Sequence, residues 1–177
     1  MRRTLTRIAA VPAAIFALAQ PQIAMAQNCV DQENISDAMI YSMPLLVSAF
    51  AEKCGDELAD SGFMSTKGDA FAAQYLDRQD AVWPGAFTLL MQFAAKDGDE
   101  AMANLFAALP EESVRPLVDA IIEQKVAEEI KLKDCAKIER GVEMLAPLPP
   151  ENMGGLLAFL MDMANVKDPK ICAYEPK

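Results

Sequence analysis

The four cysteines are the residues of this chain whose chemistry is best defined by their spacing. Cys29, Cys54, Cys135 and Cys172 are spread along the sequence, and the closest two are 25 residues apart. A zinc site would need CxxC-type spacing and usually histidine, but the chain contains no histidine. Because the number of cysteines is even, disulfide bonds are expected in an oxidising compartment. The sequence predicts no metal site.

Side chains that could catalyse a reaction form no recognisable set. Without histidine there is no Ser/His/Asp or Cys/His relay and no usual general base near neutral pH. Carboxylate pairs such as Glu128 with Glu129 are typical of solvated faces in an acidic chain. The segment Asp97-Gly98-Asp99-Glu100 lacks the ligand spacing of a calcium loop and indicates a turn. We therefore expect a protein that is not an enzyme and has no cofactor.

Methionine is unusually frequent, with nine residues after position 26. Met39 and Met43 share a helix face, and Met161 and Met163 lie close together in the last predicted helix. Thioethers can bind copper(I), but here they are dispersed among Leu, Phe and Ile. Methionine fills irregular gaps between helices and also lines adaptable apolar grooves. We expect core packing, with an apolar groove as the alternative.

Residues 1–26 have the pattern of a cleaved secretory signal peptide. Arg2, Arg3 and Arg7 precede an apolar run of 12 residues, 8–19, and Ala24-Met25-Ala26 supplies the small-x-small cleavage pattern. A helix that crosses a bilayer needs about 20 apolar residues, so a retained transmembrane anchor is the weaker interpretation. Bulky amides just before Cys29 also argue against a lipoprotein. We predict an exported protein, periplasmic or secreted, that begins at Gln27.

The mature chain, 27–177, is strongly acidic. It keeps 13 Lys and Arg against 26 Asp and Glu, a formal charge of −13. Such an excess repels phosphate backbones, so nucleic acid is not an expected partner. Its 151 residues are enough for one hydrophobic core, and we predict a single domain.

Helix patterns occur along the whole mature chain, and strand patterns are almost absent. Residues 38–51 are apolar nearly all round, which is typical of a buried helix, although Pro44 should kink or split it. Trp83-Pro84 is expected to open another helix, with proline at its first position. The remaining predicted helices are 67–78, a short one through Met102, 113–132, 134–145 and 152–164. The fold class is therefore an all-α compact bundle of about six or seven helices with short Pro/Gly-marked turns, stapled by disulfides.

Two corners of the chain resemble each other. LPEESV from Leu109 and LPPENM from Leu148 each combine proline, glutamate and a polar residue before an apolar run. We expect Ser113 and Asn152 to be N-caps of the following helices, so these corners are turns and not active loops. We expect Gly154-Gly155 to permit close helix packing and not to bind an anion, since a phosphate loop needs more glycines and a preceding strand.

The pairing of the cysteines depends on the first helix. A hairpin of 134–145 and 152–164 would favour Cys135 with Cys172, but a continuous helix over 35–53 would hold Cys29 far from Cys54. Either Pro44 folds that helix back, or Cys29 and Cys54 each pair with one of the two C-terminal cysteines. The sequence leaves both possibilities open.

Three functions remain as hypotheses. The first is a non-enzymatic interaction or accessory protein of the cell envelope, which would expose an apolar patch. The second is a carrier of an apolar, lipid-like small ligand, with a cavity lined by residues such as Met39, Met43, Phe50, Leu90 and Phe159. The third is an envelope hydrolase that uses paired carboxylates in a cleft, at least one with a raised pKa.

Overall fold

The computed structural model describes residues 29–96, 100–167 and 170–173. Within these ranges it contains seven α-helices and no β-strand, which confirms the predicted all-α bundle. The predicted signal peptide and the Asp97-Gly98-Asp99 turn lie outside the described residues. The helices are α1 Gln32–Cys54, α2 Phe63–Leu76, α3 Gln79–Lys96, α4 Glu100–Ala108, α5 Glu111–Glu129, α6 Cys135–Leu145 and α7 Pro150–Met163.

α1 is the central helix, around which α2, α3, α5 and α7 pack. Its 23 residues correspond to about 35 Å at 1.5 Å per residue. At its start the Asp31 side chain accepts a hydrogen bond from the Glu33 amide at 2.9 Å, a normal N-cap. Because neighbours surround it, α1 carries apolar residues on nearly all faces.

Pro44 does not split α1. The helix continues through it as one element, although proline has no amide proton to donate to the carbonyl of Ile40 one turn earlier. The side chain of Gln79, at the start of α3, donates to the neighbouring Tyr41 carbonyl at 2.9 Å. A side chain from another helix thus supplies a hydrogen bond next to the site where proline removes one.

Three helix starts predicted near prolines are wrong, and the geometry of proline accounts for two of them, α5 and α7. α3 begins at Gln79, so Pro84 lies inside the helix. α5 and α7 are preceded by Pro110 and Pro149 as N-cap residues, so Ser113 and Asn152 lie inside the first turn. Proline has its φ angle preset for the first helical turn and lacks an amide that would need a partner. α5 and α7 therefore begin about three residues earlier than N-capping by Ser113 and Asn152 would place them.

The disulfides join Cys29 to Cys172 and Cys54 to Cys135, with Cα–Cα distances of 5.0 and 5.7 Å. Of the two pairings that the sequence leaves open, the structure has the crossed one, and the pairing of Cys135 with Cys172 that a folded-back first helix would favour does not occur. Unbroken α1 holds Cys29 and Cys54 at opposite ends, beyond the roughly 7 Å that a disulfide spans. Each end of α1 is therefore tied to a C-terminal element. Next to the first disulfide, Val30 exchanges backbone hydrogen bonds with Lys170 and Cys172, at 2.7 and 2.9 Å.

Gly154 allows α7 to approach α1 closely. A Cβ atom at this position would lie 2.8 Å from the Ser36 carbonyl oxygen and would also collide with the Ser36 hydroxyl. A Cβ atom at Gly155 would have no neighbour within 4 Å. The two adjacent glycines therefore differ: the first permits the helix crossing, and the second faces open space.

This difference predicts opposite effects of one substitution. Gly154→Ala should lower the free energy of unfolding by about 1–3 kcal/mol, because the added methyl group forces the helices apart. Gly155→Ala, the matched control, should be neutral or raise stability by up to about 1 kcal/mol, because alanine favours the helix. Urea denaturation followed by circular dichroism measures both. Equal effects at the two positions would contradict the described crossing of α1 and α7.

Candidate ligand cavity

An apolar cavity of about 280 Å³ lies beside the C-terminal half of α1. We name it the α1–α6 cavity after two of its walls. α1 contributes Met39, Met43, Leu46, Val47 and Phe50, which lie on one face because they follow the three- and four-residue spacing of a helix. Residues of α2, the C-terminal end of α5, α6 and α7 complete the lining.

α6 forms the opposite wall with Ile138, Val142 and Leu145, which repeat at helical spacing. Its first residue, Cys135, is bonded to Cys54 at the end of α1, and both cysteines are buried. One turn later the Glu139 carboxylate accepts a hydrogen bond from the Met64 amide at 2.9 Å. The Cys54–Cys135 disulfide thus links α6 to α1, and the Glu139 carboxylate links α6 to α2.

The Glu139 contact replaces a missing N-cap. Gly62 precedes α2 and has no side chain to accept from the first amides of that helix. A carboxylate at a helix N-terminus satisfies such an amide and interacts favourably with the helix dipole. A Cβ atom at Gly62 would collide with Glu139, so the small residue makes room for the carboxylate of α6.

Every described side chain that lines the α1–α6 cavity is apolar. Water needs polar partners to occupy a cavity, and an engineered apolar cavity of about 150 Å³ in another protein stays dry and binds benzene or xenon. The α1–α6 cavity is larger than that and lies just below the roughly 300 Å³ at which small-molecule pockets begin. Its chemistry therefore suits a hydrocarbon group.

A second cavity, also about 280 Å³, lies along a neighbouring face of α1. We name it the α1–α3 cavity. Its lining comes from α1, α3 and α5 and includes Tyr41, Trp83 and Leu90. Leu46 lines both cavities, so this single side chain lies between them.

The residues that the sequence predicts to line one cavity lie in three different places in the structure. Met39, Met43 and Phe50 line the α1–α6 cavity, whereas Leu90 lines the α1–α3 cavity. Phe159 lies on α7 with its side chain exposed. Sequence reasoning missed the α6 wall, although the spacing of Ile138, Val142 and Leu145 was a usable signal.

A polar cluster borders the α1–α3 cavity. The Tyr41 hydroxyl donates to Asp119 at 2.7 Å, and the Tyr41 ring lies 4.9 Å from the Trp83 ring, centroid to centroid. The guanidinium of Arg115 lies over Trp83 at 4.9 Å and forms ion pairs with Asp80 and Glu111. Burial, and then the hydrogen bond to Asp119, raise the pKa of Tyr41 well above its ordinary value. These contacts hold α1, α3 and α5 together.

One carboxylate has a raised pKa of the kind that the hydrolase hypothesis requires. Burial and the charge of Glu33, four residues earlier on α1, raise the pKa of Asp37. Asp37 lies against Gly85 of α3 and lines neither apolar cavity. Within the described ranges, no group of three or more Asp, Glu, Cys or His side chains is arranged to hold a metal ion.

A face of α7 is apolar and exposed. Leu156, Phe159, Leu160 and Met163 follow helical spacing and have 38, 52, 51 and 69% of their surface accessible. We name this face the α7 stripe. The opposite face of the helix, with Met153, Gly154 and Ala158, is buried, so α7 is apolar on both sides.

Comparison with known protein families, with curated proteins and with solved structures finds no match to this chain. None of the helices in the described part of the chain combines the length and apolar character needed to cross a bilayer.

The raised pKa of Tyr41 predicts a loss of stability in alkali. In the unfolded chain a tyrosine ionises near pH 10, while folded Tyr41 keeps its proton to higher pH. The contribution of protonated Tyr41 to the free energy of unfolding is therefore complete below about pH 10 and is lost as pH rises above it. Tyr41→Phe should show a smaller fall in melting temperature between about pH 9 and 11 than the wild type.

Tyr75→Phe is the comparison variant, because burial alone raises the pKa of Tyr75. It should also reduce the alkaline loss, since any tyrosine whose pKa is raised on folding contributes to that loss. An unchanged alkaline loss in Tyr41→Phe would show that folding does not raise the pKa of Tyr41.

Proposed function

We propose that this protein binds an apolar small ligand in the α1–α6 cavity and carries it outside the cytoplasm. The observation that supports the proposal is a cavity of about 280 Å³ whose lining is entirely apolar. Burying one methylene group contributes about 0.8 kcal/mol, so a short hydrocarbon chain would gain substantial binding energy there. Nothing in the lining would react with it.

Three features support the carrier role over a well-packed core alone. Met39, Met43, Met64 and Met153 all line the cavity, and methionine adapts its shape to varied ligands. α6 covers the cavity but packs little on α1, and it is fixed there chiefly by the Cys54–Cys135 disulfide and the Glu139 contact. This arrangement allows a ligand to enter beside α6 while the rest of the bundle stays packed.

Export is part of the proposal. The sequence of residues 1–26 supports a cleaved signal peptide, and two disulfides fit an oxidising environment. A periplasmic or secreted carrier would keep its ligand away from water between membranes or outside the cell.

Filling the cavity tests the binding site. Val142→Phe places an aromatic ring inside the α1–α6 cavity from the α6 wall. The variant should remain folded by circular dichroism and should bind octanol at least tenfold more weakly than the wild type, a loss of about 1.4 kcal/mol, in isothermal titration calorimetry. Leu145→Phe, at the partly exposed edge of the same wall, is a second filling variant.

The control is Leu156→Phe, which adds the same ring on the α7 stripe, outside the cavity. Octanol affinity should not change in this variant. Wild-type affinity in folded Val142→Phe and Leu145→Phe would contradict the assignment of the site.

The α7 stripe favours a second function, that of an accessory protein in the cell envelope. Four exposed apolar residues at helical spacing match the seam that an amphipathic helix of a partner protein covers. The partner proposed here is therefore a protein with such a helix, bound along Leu156, Phe159, Leu160 and Met163.

Purification from the native envelope tests export and the accessory role together. The intact mass should correspond to a chain that begins at Gln27 and has two disulfides. A polypeptide that co-purifies with the wild type and is lost from Leu160→Asp would support binding at the stripe. Equal recovery with both proteins would contradict it, and a mass that includes residues 1–26 would contradict cleavage.

A further inference from the structure

We infer that the ligand is a long, single hydrocarbon chain that occupies the α1–α6 cavity and continues past Leu46 into the α1–α3 cavity. This inference rests on the proposed function and specifies the length and shape of its ligand. Each cavity has a volume of about 280 Å³, and the Leu46 side chain lines both of them. One side chain therefore stands between two apolar spaces.

α5 lines both cavities with one row of side chains. The row follows the four-residue spacing that places side chains on one helix face, and it consists of Val118, Ile122, Val126 and Ile130. Val118 and Ile122 line the α1–α3 cavity, whereas Val126 and Ile130 line the α1–α6 cavity. The row extends over about 18 Å at 1.5 Å per residue. The two cavities therefore follow one another along α5, as an extended chain requires.

Leu46 is suited to the boundary between the cavities. Its side chain is partly exposed, whereas those of Met43 and Val47 on the same helix are buried. Leucine has several staggered rotamers, and exposed side chains exchange between rotamers rapidly. A rotation of this one side chain would open a path between the two spaces while the helices stay in place.

The α1–α3 cavity suits the end of a hydrocarbon chain and not a polar group. Two residues with hydroxyl groups line it, and both hydroxyls already donate hydrogen bonds. Tyr41 donates to Asp119 at 2.7 Å, and Ser42 donates to the Met39 carbonyl at 3.4 Å. The rest of the lining is aliphatic or aromatic. A polar group buried there without a hydrogen bond would be unfavourable.

The length of the chain distinguishes a ligand in one cavity from a ligand in both. Each additional buried methylene group raises affinity by up to about fourfold, whereas a methylene group that stays in water adds nothing. If the chain ended at Leu46, affinity would level off once the α1–α6 cavity is full. A path into the α1–α3 cavity extends the gain to longer chains.

The test compares octanol with dodecanol, which has the same head group and a longer chain. Both are titrated into the folded protein, with disulfides intact, in isothermal titration calorimetry below the solubility limit of dodecanol. Dodecanol should bind at least about tenfold more tightly than octanol, with one molecule per protein chain.

Two substitutions one turn apart on α5 locate the two parts of the ligand. Ile122→Phe narrows the α1–α3 cavity and should reduce the advantage of dodecanol over octanol at least about threefold, with little change in octanol affinity. Val126→Phe narrows the α1–α6 cavity and should weaken the binding of both alcohols. Both positions are partly exposed, so the bundle can accommodate the larger ring.

Leu90→Phe is a second variant that fills the α1–α3 cavity, from α3 instead of α5, and it should have the same effect as Ile122→Phe. Leu156→Phe on the α7 stripe is the control, because it adds the same ring outside both cavities. It should change the affinity of neither alcohol.

Each outcome separates the two proposals. If octanol binds but dodecanol binds no more tightly, or if two dodecanol molecules bind per chain, the continuous ligand is wrong and the carrier remains. An unchanged ratio of the two affinities in folded Ile122→Phe and Leu90→Phe would exclude the α1–α3 cavity as the place of the chain end. If neither alcohol binds, the carrier proposal itself fails.

Discussion

α1 runs without interruption from Gln32 to Cys54, and its length determines where the other elements can lie. A rod of about 35 Å separates Cys29 from Cys54, so neither can reach the other and each is bonded to the C-terminal part of the chain. Four helices pack directly on this rod. Its sequence must therefore be apolar on nearly every side, and the helix continues through Pro44 next to the Tyr41 carbonyl, which accepts a hydrogen bond from Gln79 of α3.

The two cavities follow from this architecture. Helices arranged around a central helix, each in contact mainly with it, leave gaps between neighbouring outer helices. α6 packs on the bundle less than α2, α3, α5 and α7 do, and the α1–α6 cavity lies beneath it. The Cys54–Cys135 disulfide and the Glu139 contact hold α6 in place. These two contacts keep α6 in position although few side chains fill the α1–α6 cavity, which leaves room for a ligand.

The local periodicity of apolar residues was enough to predict the all-α fold and the apolar face of α1, because helical spacing is visible among residues close together in the sequence. Met39, Met43 and Phe50 reach the same cavity since they share that face. Leu90 and Phe159 do not, because the orientation of α3 and α7 depends on how they cross α1. Leu117 and Ile121 of α5, although apolar and at helical spacing, are partly exposed for the same reason.

Contacts between residues far apart in the sequence could not be predicted from local patterns. Glu139 caps α2 from 75 residues away, and no local pattern marks it. The cystine pairing required knowledge of whether Pro44 interrupts α1, and the propensity of proline alone predicts an interruption that the structure does not have. The start of α5 at Glu111 reflects proline geometry that outweighed the capping preference of Ser113.

The central claim is that an unfilled apolar space exists between α1 and α6. Diffraction from crystals pressurised with xenon tests it most directly, because xenon enters apolar cavities and has strong scattering. The account predicts xenon between the two helices, in contact with Met43, Val47 and Val142. Side chains that fill this space, or ordered water molecules in place of xenon, would contradict it.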